Sequence, residues 1–179
     1  MALNNGGCFS GDTLVSMDND SKIHVSFLKV GDSVQSYHGD TKVEKIIPFN
    51  FTGFMYHIGK NASVSAYHPI LLVNISGPTE YFFPKHRNCC QRTYYNGTVY
   101  QIVLENRSYI MIGANSRYIN RMYAGTYNYR FDESITWYND EYEKIFGHPY
   151  CYEYPNNNYD EIQDIIENDP ESVITNRYH

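Results

Sequence analysis

Short runs in which β-branched and aromatic residues alternate with polar ones fill the chain from residue 12 to residue 116. "TLVSM" (13–17), "KIHVSFL" (22–28), "SVQSY" (33–37), "KVEKIIPF" (42–49), "FMYHIG" (54–59), "ILLVNI" (70–75), "TVYQIVLE" (98–105) and "SYIMIG" (108–113) each read as a strand. Between them stand turn formers: "DND" (18–20), "GD" (31–32), "HGD" (38–40), "NISGP" (74–78) and "YNG" (95–97). Many short strands at close spacing predict an all-β, barrel-like or pseudo-symmetric module.

The pattern changes late in the chain. In "NYDEIQDIIEN" (158–168) Ile162, Ile165 and Ile166 fall on one helical face, with acids near its start. "DESITWYNDEYEKIFG" (132–147) reads as a second helix ending at Gly147, before Pro149. The expected organisation is a short upstream remnant at 1–7, a β module at 8–116 and a partly helical appendage at 117–179.

Composition supports the division. The whole chain has 179 residues and a net charge of −6. Residues 1–116 hold nine basic and eight acidic side chains, residues 117–179 five and twelve. A strongly acidic tail argues against nucleic-acid binding. No apolar run is long enough to span a bilayer. "MALNNGGC" has the look of an excised fragment given a start codon. Five N-x-S/T sequons, at Asn50, Asn61, Asn74, Asn96 and Asn106, point toward a secretory or extracellular setting. The four cysteines are too few for a disulfide scaffold. "HRNCC" with His148 and Cys151 fits no zinc pattern, so neither metal nor other cofactor is expected.

Candidate chemistry lies in two segments. One is "GGCFSGDTLV" (6–15), which places Cys8 after two glycines, with "LKVGDSV" (28–34) following it. The other is "SVSAYHPILLV" (63–73), in which Ser65 stands three residues before His68. With "TVYQIVLENRSYIMIG" (98–113), this ordered set resembles the Hedgehog/intein (Hint) family of self-processing domains over about residues 7–114. The glycine start, "YHPI" and the tail without an endonuclease are similar to its Vint subgroup. The resemblance implies a Hint-type, pseudo-two-fold all-β module and a von Willebrand factor A-type domain upstream in the natural parent.

It also implies a mechanism. Cys8 attacks the carbonyl of Gly7 in an N–S acyl shift, replacing the Gly7–Cys8 amide by a thioester. His68, whose ordinary pKa lies near neutrality, protonates the departing nitrogen. Ser65 hydrogen-bonds the scissile amide, and Gly7 leaves the attacked carbonyl open. An external nucleophile then releases the upstream part, and by the same resemblance the appendage at 117–179 is the expected region for recognising that adduct.

Three departures from the family pattern limit this expectation. Ser65 replaces the usual threonine. The neighbourhood "IIPFNF" (46–51) lacks the aspartate tied to sterol activation. "GANSRY" (113–118) offers Asn115 and Ser116 behind Ala114, where inteins carry histidine. Cleavage is therefore the expected activity. Splicing at Asn115/Ser116 and a catalytically dormant interaction module are the alternatives.

Two acid-free stretches stand apart. Arg107, Arg117, Arg121 and Arg130 lie among tyrosines, and Lys85, Arg87 and Arg92 form a second basic group. If the fold joined them, they would make an anion site for an acidic polysaccharide or an anionic lipid head group. The plainer expectation is that these cations pair with the tail acids.

Overall fold

In the computed structural model, residues 7–74, 79–87, 90–113, 121–132, 134–138, 150–151, 169 and 171 are described. Thirteen strands are present among them: β1 (Phe9–Ser10), β2 (Leu14–Ser16), β3 (Lys22–His24), β4 (Ser33–Val34), β5 (Thr41–His57), β6 (Ser63–Val64), β7 (Ile70–Val73), β8 (Thr79–Phe82), β9 (Arg92–Leu104), β10 (Tyr109–Met111), β11 (Arg121–Gly125), β12 (Thr136–Tyr138) and β13 (Tyr150–Cys151). Besides Glu171, the described helical residues form two single 3-10 turns, Val25–Phe27 and Pro84–His86.

The frame is a long antiparallel pair. β5 and β9 run together from Val43↔Leu104 to Tyr56↔Arg92, with one irregularity between Val43 and Lys45. The sequence suggested two strands here, parted near "NFTG". Instead β9 supplies a partner at every position from Lys45 to Tyr56, so Pro48 and Gly53 are carried inside one strand. The two-residue strands β1 and β6 close this pair into a ring, because β5 pairs β6, β6 pairs β1, and β1 pairs β9. Phe9 faces Val64 across β1 and β6. Both are fully buried, and each such side chain contributes about 1.5–3 kcal/mol.

A second sheet has the order β10-β11-β7-β8-β12-β13. β7 and β8 form a hairpin, and β11 lies between β7 and β10. Thus the sheet continues past residue 116, and β11 is one of its inner strands. Tyrosines fill much of the core beside it: Tyr81, Tyr109, Tyr123 and Tyr129 are all buried. The Tyr109 hydroxyl donates to the carbonyl of Arg130, and the Tyr81 hydroxyl accepts from the amide of Asp132 at 3.1 Å. Buried tyrosines need such partners.

The expected helix over 132–147 is corrected at its start. Thr136–Tyr138 is strand β12, paired parallel with the edge of β8. A β-branched and two aromatic residues in succession suit an open sheet edge better than a helix. The rest of that segment, and the expected helix over 158–168, lie outside the described residues.

Candidate active site

The loop 65–69 joins the two sheets, leaving β6 of the ring and entering β7 of the second sheet. Its position follows from the strand register. Since Phe9 faces Val64 in an antiparallel pair, Cys8 comes to lie beside Ser65. The amide of Ser65 donates to the Cys8 carbonyl at 3.0 Å, and the amide of Cys8 donates to Ser65 Oγ at 3.0 Å. The second bond places a hydroxyl oxygen on the nitrogen of the Gly7–Cys8 peptide. Cys8 has no solvent exposure and packs in a cluster with Phe51, Met55 and Val99.

Thr13 pins this arrangement from behind. Its Oγ1 accepts from the amide of Ser63 at 2.9 Å and donates to the Ser63 carbonyl at 3.0 Å. It also contacts Ser10 Oγ at 2.9 Å, and Ser10 Oγ donates to Asp12 Oδ1 at 2.6 Å. The residues "SGDT" therefore tie β1 to β6 by side chains as well as by backbone.

His68 is the third element. A tight turn, closed by its amide donating to the Ser65 carbonyl at 3.1 Å, brings the ring back toward Cys8. Nδ1 lies 3.1 Å from the Cys8 carbonyl oxygen, and Nε2 lies 2.7 Å from the Gly125 carbonyl oxygen. Phe9 packs edge-on against the ring, with centroids 4.4 Å apart. Carbonyl oxygens only accept, so a neutral ring satisfies one of them and a protonated ring satisfies both. Burial decides against the charge: it pushes the His68 pKa down to about 4, although the two carbonyls pull it upward. The resting imidazole is therefore neutral at pH 7. That corrects the expectation of a group titrating near neutrality, and the reason is complete removal from water.

Gly7 has a positive φ of 70°, a backbone region that disfavours side chains. A Cβ built there would lie 2.7 Å from Ser65 Oγ, 2.9 Å from His68 Cγ and 3.0 Å from His68 Cα. The residue on the acyl side of the peptide is thus glycine for two separate steric reasons.

The chain matches the family model for the Vint Hint domain over residues 7–170. This protein belongs to the Vint family of Hint domains. Membership makes it, in general terms, a self-processing domain. Among solved structures, a GSH-linked, splice-inactive variant of the AceL NrdHF class 3 split intein aligns with a TM-score of 0.48 and 12 % identity. The alignment covers 68 % of this chain and 99 % of that one. No curated protein sequence matches significantly.

In this Vint domain, Gly7, Cys8, Ser65 and His68 meet at one place. Asn115, Ser116 and Arg117 lie outside the described residues. Six of the seven predicted basic residues are among the described ones. Lys85 pairs with Asp169 and lies 3.5 Å from Glu171, Arg92 pairs with Glu171 at 2.7 Å, and Arg87 lies 3.6 Å from Glu80. Arg107 Nε donates to the Asn128 carbonyl at 2.8 Å, and the backbone amide of Arg130 donates to the Arg107 carbonyl. Arg121 begins β11, opposite Val73. Protein carboxylates and a backbone carbonyl thus face four of these cations, Lys85, Arg87, Arg92 and Arg107.

Sequence reasoning missed Gly125. Its carbonyl faces His68 Nε2, and its amide donates to the Pro69 carbonyl at 2.9 Å, which ties β11 to the 65–69 loop. A Cβ at Gly125 would lie 3.2 Å from both Pro69 Cγ and Tyr129 Cδ1. Nothing in "YAGTY" announces this, because the contact is made by backbone atoms. Thr13 and Ser10 lie in the motif "FSGDTLV", but sequence reasoning gave them no role, because their part in joining β1 to β6 needs the register.

Proposed function

We propose that this domain cuts its own chain at Gly7–Cys8 and passes the upstream part to an external nucleophile. The observation that carries the reading is the hydrogen bond from the scissile amide to Ser65 Oγ, made while Gly7 is pressed against Ser65 and His68. The peptide is held by both of its ends in a conformation that only glycine takes readily.

The neutral state of His68 sets the order of proton transfers. A ring with a pKa near 4 begins as a base. It takes the Cys8 thiol proton as the sulfur attacks the Gly7 carbonyl carbon. It then holds that proton, as imidazolium, beside two carbonyl oxygens that favour the charged form. As the C–N bond breaks, the proton passes to the Cys8 nitrogen. The S–C bond replaces the C–N bond, and the amine keeps the proton that the thiol lost. A thiol, hydroxylamine or water then attacks the thioester. It takes the acyl group ending in Gly7 and returns the sulfur to Cys8 as a thiol.

Ser65 Oγ accepts from the amide in the ground state and is placed to keep that nitrogen aligned. One such neutral hydrogen bond is worth roughly 1 kcal/mol, so Ser65 contributes less than Cys8 or His68. The upstream partner is then whatever domain precedes Gly7 in the same polypeptide, with the von Willebrand factor A type as the family's suggestion.

The test is a fusion with a folded domain placed before Gly7. Dithiothreitol or hydroxylamine should release that domain with Gly7 as its last residue, as read by mass spectrometry. A fusion that stays intact under both reagents, with Cys8→Ala behaving identically, would establish a dormant module instead. A ligated product of the flanking segments would establish splicing.

A further inference from the structure

Two carboxylates from the far end of the chain grip the flanks of the catalytic loop. The Tyr67 hydroxyl donates to Asp169 Oδ2 at 2.5 Å, across 102 positions of sequence. Tyr67 sits between Ser65 and His68, in the turn that presents both. Lys85 holds the same carboxylate through its ammonium, and its backbone amide donates to the Ala66 carbonyl at 3.1 Å. Glu171 works on the other flank. It accepts from the Tyr56 hydroxyl at 2.7 Å and from Arg92 at 2.7 Å. Tyr56 is the residue of β5 that faces Val64, the last residue before Ser65. The amide of Glu171 donates to Asp169 Oδ1 at 2.9 Å, which makes the two carboxylates one unit.

We propose that Asp169 and Glu171 form a clasp that positions the Ser65–His68 loop, Asp169 acting through Tyr67 and Lys85, and Glu171 through Tyr56. The inference rests on the self-processing reading for its consequence, but the geometry stands without it. Tyr67, Tyr56, Lys85 and Arg92 make a cradle of two hydroxyl donors and two cations, and all four point to carboxylates of the same chain. The charges suit the purpose: burial alone would raise the Asp169 carboxyl, yet the bonds from Lys85 and Tyr67 hold it below its ordinary value, so it is ionised at neutral pH. Charge-assisted bonds of this kind are about twice as strong as neutral ones. Neither residue touches the scissile peptide, so both are positioning residues.

Amide hydrogen exchange in the full Cys8→Ala chain tests the clasp without any cleavage chemistry. Asp169→Asn with Glu171→Gln should speed exchange of the Ser65 and His68 amides about 10-fold, while the amides of β10 stay unchanged. Equal exchange in the two chains would overturn the proposal, as would an increase spread evenly over the whole domain.

A cleavage arm uses the active fusion. Asp169→Asn and Tyr67→Phe should each slow thiol-induced release about 10-fold, and the pair together by clearly less than the product of the two, because both weaken the Tyr67–Asp169 bond while only Asp169→Asn also weakens the contact to Lys85. Fully additive losses would show that Asp169 does not act through Tyr67. Should Asp169→Asn fail to fold, Tyr67→Phe alone decides: an unaltered rate and unaltered exchange defeat the clasp. A parent fusion that never cleaves removes the self-processing reading, and the exchange arm still decides whether the carboxylates hold the loop.

Discussion

At Cys8 the polar atoms are held by neutral hydrogen bonds and cut off from water, whereas around Lys85 they are held by charge and stay partly wet. Cys8 and His68 have no exposure, and Ser65 has 5 %. The side chains of Lys85 and Arg92 keep 29 % and 48 % of theirs. Tyr67 belongs to both regions, one residue from His68 and hydrogen-bonded to Asp169. The difference is one of tolerance. A buried group fixed by strand register fails when a single atom is added or lost. A half-exposed ion pair can lose a charge and be re-solvated at small cost.

The comparison breaks most readily at Cys8. Cys8→Ala should abolish thiol-induced release, because no thioester can form; any residual release would point to a different nucleophile. Next comes Gly7→Ala. The added carbon would displace Ser65 Oγ and crowd His68, and we expect cleavage at least about 100-fold slower, with the left-handed backbone costing a further 1–2 kcal/mol or so. A rate within threefold of the parent would mean that the junction is looser than its distances suggest.

His68→Ala should slow release by about 100-fold or more, the scale of a lost acid–base group. His68 also gives the buried region a pH signature. Between pH 6.5 and about 4 the unfolded chain binds a proton at this ring that the folded chain refuses. Stability therefore falls as pH drops through that window and levels off below it, by an amount on the order of 3 kcal/mol. Burial pushes His86 down to about 4 as well, with the Lys85 charge adding to the effect, so it contributes in the same direction. Denaturation of His68→Gln across that window should show a shallower pH slope than the parent. An identical slope would place the proton elsewhere.

Ser65→Ala should slow cleavage only about 5- to 10-fold, and a loss exceeding that of His68→Ala would reverse the two roles. The smallest effect belongs to the wet region. Glu171→Gln keeps an acceptor for Tyr56 and Arg92, so equilibrium unfolding should change by no more than about 0.5 kcal/mol.

Much of the fold was legible from alternation alone. The strands at 14–16, 70–73 and 109–111 fall inside runs of β-branched and aromatic residues. Cys8, Ser65 and His68 were legible as an ordered motif, because each must supply a particular atom. What could not be read has a common cause. β11 carries the ordinary residues "RMYAG", and its role comes from pairing with β7 and from one carbonyl. Asp169 and Glu171 looked like two acids among twelve, since only the fold brings them to Tyr67 and Tyr56. β12 reads as helix when Thr136–Tyr138 is judged by its neighbours, and as strand once β8 offers an edge.

The ring closed by β1 has a consequence for the direction of the reaction. On the proposed reaction, the amino end freed when the Gly7–Cys8 bond opens would not drift away. It would stay at the tip of β1, which Phe9 pairs with Val64 and Tyr100, within reach of the acyl group it had just lost. The proposed acyl shift would thus be a rocking equilibrium that returns to the amide until an outside molecule intervenes. Once that molecule had carried the acyl group off, the domain would be left with an ionisable amine in place of a neutral peptide, at a position that is fully buried before cleavage. A spent domain could not then keep the packing of the precursor unchanged: β1 would have to loosen to hydrate the amine, or the amine would have to remain uncharged.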